Sequence, residues 1–530
     1  MRCRQILVVL ALPLWLLLAG CATPGGGGGI ARTHVRSPEF RVAEADVDYF
    51  KTYTGFNHVE AANGANGRFF EENIEPKMLD MIARAERHVI LSVFLFDSLY
   101  AAGEVERDVV GTLSDALIDK KLAHPEISIA VILDPSHRSY GRRVSPVERR
   151  FREVGIDVFY SDLIGGLKKA GPIGVREALG HANRLIDQVT FKTWSRLWSG
   201  AFSLAKLPFR FDGELVTVEA VYNALLMKAN HRKLFLTDTG DGDYEVLVSS
   251  ANPHNASAFH VNSAVSVRGA PARFAYNVLR ADLAQSARLG GLFAHWHYAA
   301  DRAYRKGFLT ERFPELPVGG STSASAEHPV GVRFVTEIAV QEAVLEMLAG
   351  AAAGDEIRIQ MFYISRKPVV RAILAAAERT GRPVRLLLDA NKDSFNTEKD
   401  GTPNRQVARH LMRQAAARGI DLQVRWYATH GEQNHTKTMS ISNPERGQYL
   451  LTTGSCNWTG RNMDGVNMEA NIVLSGARAA TESFNYYFDL FWSNSDGNMY
   501  SLDYAAFGED QTGGDWKWHI GEKPFYFSSF

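Results

Sequence analysis

His231, Lys233, Asp238 and Asn252 make one set of residues able to do chemistry, and His435, Lys437 and Asn457 make another. In both sets the lysine stands two positions after the histidine, and the asparagine follows about twenty positions on. Side chains at i and i+2 of an extended segment share a side, so each histidine projects with its lysine. The turn-rich stretches 238–242 (DTGDG) and 442–447 (SNPERG) then reverse the chain. Returning strands at 245–248 and 449–452 bring Asn252 and Asn457 back beside the histidines. Two such sets face to face hold what phosphodiester cleavage requires. One neutral imidazole attacks phosphorus, and the opposing imidazolium protonates the departing oxygen. Lysine and asparagine donors meet the charge on the non-bridging oxygens. That chemistry needs neither a metal nor a cofactor.

The elements around the two sets recur in one order. Helical apolar spacing over 76–87 leads to an apolar strand at 89–96, and 341–352 leads to 357–364. A second helix follows in each half (105–122 and 368–380), then a strand closing in Leu-Asp at Asp134 or Asp389. A third strand comes next, at 156–160 and 422–427. Strands apolar on both faces, alternating with helices, predict an α/β fold of mixed sheets flanked by helices. Duplication makes the chain a pseudo-dimer, with its active site at the seam between halves. From Asp134 to His231 is 97 positions (231 − 134), against 46 from Asp389 to His435 (435 − 389). The first half therefore carries an insertion of roughly fifty residues, placed near 164–212. Its Trp, Phe and Leu residues, interleaved with Lys and Arg, suit either a membrane interface or a helical cover on the protein's own core.

The expected organisation is a leader at 1–20, a tether at 21–45, a first half at 46–313, a linker at 314–331 and a second half at 332–530. Arg2 and Arg4 precede an apolar run, 6–18, that is too short to span a bilayer comfortably. Its end, Leu18-Ala19-Gly20-Cys21, resembles the lipobox of bacterial lipoproteins, which implies cleavage before Cys21 and acylation of that residue. The alternative is an ordinary secretory leader whose cleavage site happens to hold a cysteine. Ala22 is not the Asp associated with inner-membrane retention, so in a two-membrane cell the expected place is the outer membrane, facing the periplasm. Without the leader only Cys21 and Cys456 remain, too few for a cysteine zinc site or, with Cys21 acylated, an internal disulfide.

At 530 residues, 45% hydrophobic and 22% charged, the chain has the make-up of a globular protein with room for two domains. Lys+Arg and Asp+Glu both number 59, whereas proteins that track nucleic-acid phosphates usually carry a basic surplus. Nucleic acid is therefore disfavoured as a partner, and a phospholipid substrate favoured.

The repeated phrase resembles the HxKxxxxD and GSxN motifs of the phospholipase D superfamily. Here it reads His231-Arg232-Lys233 to Asp238 with Ser249-Ser250-Ala251-Asn252, and His435-Thr436-Lys437 with Gly454-Ser455-Cys456-Asn457. The resemblance covers about residues 68–495 and, with two copies and the leader, looks most like bacterial phospholipase D and cardiolipin-synthase-type enzymes. It implies a phosphohistidine intermediate, transfer of a phosphatidyl group to water or another alcohol, and function as a monomer. On that analogy His231 is the nucleophile and His435 the general acid, with the reverse assignment open. Ser250 and Ser455 stand as candidate substrate contacts.

Ser442 replaces the Asp of the second motif, and Ser249 the Gly of the first. Asp238, at the start of a turn, suits either a catalytic role or the binding of turn amides. In the family a downstream carboxylate holds a ring nitrogen of its histidine. The triplets starting ten residues after each asparagine are Asn467-Met468-Glu469 and Asn262-Ser263-Ala264. They give Glu469 to His435 and leave His231 with Ala264, which predicts that His435 is the more basic. Asp238, Asp241 and Asp243 lack the spacing of a calcium loop. His254, His260, Trp426 and Trp458 read as packing residues, and the aromatic tail (Trp516 to Phe530) suits a membrane surface or a sheet edge. Two other functions fit the same residues: an exported nuclease, and a non-catalytic envelope-binding protein, which Ser442 and Ala264 would favour.

Overall fold

Strands apolar on both faces must be covered on both, and a computed structural model shows how this chain does it. The structure describes residues 35–57, 67–98, 107–134, 146–161, 206–211, 214–217, 229–297, 311–318, 329–394, 397–398, 401–465 and 467–508. The first sheet runs Asn498–Met499, Val47–Asn57, Asn262–Arg268, Tyr244–Ser249, Lys233–Asp238, His88–Val93, Ser128–Leu133, Asp157–Tyr160. The second runs Phe40–Val42, Val330–Thr336, Ala470–Ser475, Gln448–Gly454, Lys437–Asn443, Glu356–Met361, Val384–Asp389, Leu422–Tyr427, Ser501–Asp503. Without their short edge strands the two orders are the same. The chain is a duplicated α/β pseudo-dimer of mixed sheets flanked by helices.

In each sheet three strands are parallel: His88–Val93, Ser128–Leu133 and Asp157–Tyr160, and their counterparts Glu356–Met361, Val384–Asp389 and Leu422–Tyr427. Parallel neighbours need crossovers, which the helices Val109–Ala123 and Lys367–Thr380 supply. The histidine-bearing segments lead into Lys233–Asp238 and Lys437–Asn443, which run antiparallel beside the first parallel strand of each half. Every residue of Lys233–Asp238 and Lys437–Asn443 is buried. Two further helices, Ala270–His297 and Arg478–Ser493, close the space between the halves. Leu279 and Leu283 of one and Phe484, Phe488 and Phe491 of the other share a buried cluster with Val265 and Ile472.

The halves are less separate than the sequence suggested. The expected tether 21–45 is structured at its end: Phe40–Val42 pairs with Val330–Thr336, and Ser37 N donates to Phe334 O at 3.0 Å. An open sheet edge exposes unpaired amides and carbonyls, and this segment covers one. The expected linker 314–331 is likewise anchored, because Asn277 bonds both the carbonyl and the N–H of Leu316 and the next strand already begins at Val330. Conversely, Asn498–Met499 from the second half pairs with Val47–Asn57 of the first sheet. Most of the insertion near 164–212 lies outside the described residues. Its end, Lys206–Phe211, forms a separate two-stranded ladder with Glu214–Thr217. The leader, Cys21 and the aromatic tail lie outside the described residues too. No described helix is long and apolar enough to cross a membrane.

Candidate active site at the seam between the halves

Each histidine is set by a carboxylate of its own half and a backbone segment of the other. Asp134, which follows Ser128–Leu133, accepts the N–H of Asn230 at 2.5 Å, and Asp389 accepts that of Asn434 at 2.7 Å. Both carboxylates therefore brace the residue just before a histidine. His231 N then donates to Met468 O (2.9 Å) and Met468 N to Ala229 O (2.8 Å). The mirror contact is Val261 N to Gln433 O at 2.8 Å. Each histidine turn thus lies against the segment entering a strand of the opposite half, so neither half can form the site alone.

The rings follow the same crossing. His231 Nδ1 lies 2.8 Å from Glu469 Oε1, and His435 Nδ1 lies 3.2 Å from Asn262 Oδ1. The expectation that Glu469 holds His435 is therefore corrected: it holds His231. Counting from the asparagines misplaced the register, because the first-half loop is two residues shorter (262 − 252 against 469 − 457). The bridges Asn230 with Met468 and Asn434 with Val261 make Asn262, not Ala264, the counterpart of Glu469.

Lys233 Nζ donates to the carbonyl of His231 at 2.8 Å, and Lys437 Nζ to that of His435 at 2.5 Å. Phe94 and Phe362 play matching parts, each lying against a histidine ring with the lysine ammonium over its face. Asn252 and Asn457 flank the site, and their Oδ1 atoms are buried without a hydrogen-bond partner.

Ser250 and Ser455 are not substrate contacts. Both are fully buried, and Ser250 Oγ donates to Asn262 Oδ1 at 2.9 Å while Ser455 Oγ donates to Glu469 Oε2. They orient the groups that orient the histidines. Asp238 takes the amide-binding role that its turn position allowed. It accepts the N–H groups of Glu86, Arg87 and His88 at 2.7–3.0 Å, and sits at the far end of a strand that rises about 3.3 Å per residue from Lys233. In the second half that clamp has moved to Asp355, which accepts from Ala352 N and from the side chains of Asn443 and Arg446. Ser442 at the motif position accepts instead from Asn485 at 3.2 Å. Gly454 is required where it stands, since a Cβ would collide with the carbonyl of Ala470.

Residues 344–492 match the family described as "Cardiolipin synthase, PLD-like domain". The match lies within the second half. A comparison with curated protein sequences found no match. Many solved structures resemble the chain, three of which follow. Phosphatidylserine synthase from Haemophilus influenzae is 11% identical with a TM-score of 0.49, over 89% of this chain and 91% of that one. Polyphosphate kinase from Porphyromonas gingivalis is 12% identical with a TM-score of 0.36, over 76% and 42%. Nuc, a phospholipase D family member from Salmonella typhimurium, is 18% identical with a TM-score of 0.25, over 33% and 98%.

Burial governs the charges of this site. It holds the His231 imidazole down at about 4, although the Glu469 carboxylate pulls the other way. His435 is held well below its ordinary value by burial and then by the charges of Lys437 and Lys233, with no carboxylate to oppose them. The carboxylate expected to raise His435 therefore acts on His231 instead. Burial also brings Lys233 down to about 7 and Lys437 well below its usual range.

The middle residues of the two HxK triplets, unassigned from sequence, tie the halves together. Arg232 is fully buried and paired with Asp282 and, at 2.7 Å, with Glu337 of the second half. Thr436 accepts from the buried Lys51 of the first half at 3.0 Å. Asp134 and Asp389 were visible as Leu-Asp strand ends, but nothing local tells a brace from an ordinary strand terminus. His254 and His260 are buried, as are Trp426 and Trp458, which belong to the core.

Proposed function

We propose that this chain is an envelope-membrane enzyme that cleaves phospholipid phosphodiesters through a phosphohistidine, by hydrolysis or by phosphatidyl transfer. One arrangement carries the reading: His231 and His435 meet across the seam with both Nδ1 atoms committed to partners. Each ring keeps Nε2 for substrate. Nε2 of His231 attacks phosphorus and forms a P–N bond as the P–O bond to the leaving alcohol breaks. His435 gives the Nε2 proton to that oxygen. Water or a second alcohol then passes its proton to His435 and attacks phosphorus, and the P–N bond breaks. The lysines and asparagines face the charge that builds on the non-bridging oxygens. An arriving phosphodiester anion raises both imidazoles, which favours the protonated state that His435 must hold.

Glu469 supports His231 as the nucleophile. A carboxylate on Nδ1–H fixes the tautomer with its lone pair on Nε2 and stabilises the ring as it gains charge. The zero net charge and the lipobox-like Cys21 support a lipid substrate at a membrane over a polynucleotide. The test is to give the purified chain phosphatidylglycerol vesicles and follow products by mass spectrometry. Cardiolipin with glycerol means transfer, and phosphatidic acid means hydrolysis. His231→Ala and His435→Ala should each abolish both products. Cleavage of short duplex DNA with no lipid product would replace the reading with a nuclease.

A further inference from the structure

Most of the buried cations near the seam have a partner. Arg232 has Glu337 and Asp282, Lys51 has Gln360 and Thr436, and the two active-site lysines have their histidine carbonyls. Arg461 differs. It lies on the short helix Gly460–Met463, four residues after Asn457, and its buried Nε has no hydrogen-bond partner.

Its backbone and its neighbour connect it to the segment that carries His231. The carbonyl of Arg461 accepts the N–H of Asn467 at 3.2 Å, and Asn467 Oδ1 holds Ala229 N at 3.0 Å, two residues before His231. The next residue, Asn462, donates to the Glu469 carboxylate that holds the His231 ring. Arg461 feels the charges of Asp134 and Glu469 but forms an ion pair with neither. Glu469 is taken by His231, Ser455 and Asn462, and Asp134 braces Asn230. Arg461 is half-buried, its Nε is withdrawn from water without a partner, and the fold gives the guanidinium no anion of its own. The corresponding first-half position, four after Asn252, is Ala256. The cation therefore belongs to one side of the site only.

We propose that Arg461 is a ligand of the substrate's phosphate on the His231 side, in addition to the paired lysines and asparagines. The inference rests on the phosphodiester-cleaving function proposed above. A guanidinium presents N–H groups in a planar fork that matches phosphate oxygens, and it stays charged where a buried lysine gives up its proton. Arg461 thus supplies permanent positive charge to a site whose lysines are weakened by burial. It also favours substrates that are anionic at phosphorus.

The experiment measures binding of inorganic phosphate to the full chain by calorimetry, for wild type, Arg461→Gln and Arg461→Lys, with thermal unfolding of each. Losing a charge-assisted fork should weaken phosphate about 10- to 100-fold in Arg461→Gln, and less in Arg461→Lys. The unfolding temperature without phosphate should not fall, since no native ion pair is lost. Wild-type affinity in either variant, or a wild-type chain that binds no phosphate, overturns the proposal. If Arg461→Gln does not fold, a weakened Arg461→Lys still supports it. Phosphate binding that depends on Arg461 in a chain inert towards phosphatidylglycerol and DNA would sink the enzymatic reading and leave the anion site standing.

Discussion

His231 Nδ1 is 2.8 Å from Oε1 of Glu469, a carboxylate carried by the other half of the chain. Three donors, His231, Ser455 Oγ and Asn462 Nδ2, converge on its two oxygens. Glu469→Gln puts an amide NH2 where only acceptors fit, so one donor is left facing another. The variant should lose about 10²–10⁴ in kcat, the range expected when an imidazole loses its orienting carboxylate. His231 should titrate below its wild-type value, because the group that raised it is gone. Steady-state kinetics and NMR of the ring signals check both. A full-strength kcat would show that the carboxylate only packs.

Asn262 occupies the matching place against His435 but carries no charge. Asn262→Asp supplies the carboxylate that the second histidine lacks, and an opposite charge at this distance raises an imidazole by about 1–3 pH units. His435 should then titrate at a higher pH than in wild type, and His231 should change little. NMR of the two ring signals measures it. If His435 does not move, the 3.2 Å contact does not set its protonation.

Much of this was readable from sequence, and the failures have particular causes. The histidine, lysine and asparagine sets declared the duplication because i, i+2 spacing on a strand survives any variation in loops. The strands at His88–Val93 and Val384–Asp389 were legible because continuous apolar runs bounded by helices have few other meanings. Glu469 was assigned to the wrong ring because its partner lies 238 positions away and the register depends on a two-residue loop difference. Ser250 and Ser455 were read as substrate contacts because a hydroxyl beside Asn252 or Asn457 can face either substrate or the second layer, and spacing does not choose. Parts of the expected tether and linker, like Arg232, are tied down by long-range pairing, which local composition does not show.

For the free chain, kcat/KM should fall as pH rises through about 7. Above that value Lys233 has lost its proton and no longer opposes charge on phosphate. Lys233→Met removes that charge at every pH, so it should lower kcat/KM about 10²–10³-fold and abolish the alkaline limb. A limb that persists in Lys233→Met belongs to another group.

Asp238 and Asp355 should matter for folding and not for turnover. Asp238→Ala strips acceptors from the amides of Glu86, Arg87 and His88, where the chain enters the strand His88–Val93. Bonds to an ionised carboxylate exceed neutral ones, and buried amides left unsatisfied add their own cost. A loss of about 2–4 kcal/mol is expected. Asp355→Ala should do the same to the second half through Ala352, Asn443 and Arg446. Urea unfolding gives the stability, and kcat measured well below the midpoint should match wild type in both variants. An unchanged midpoint with a collapsed kcat would return Asp238 to the catalytic set.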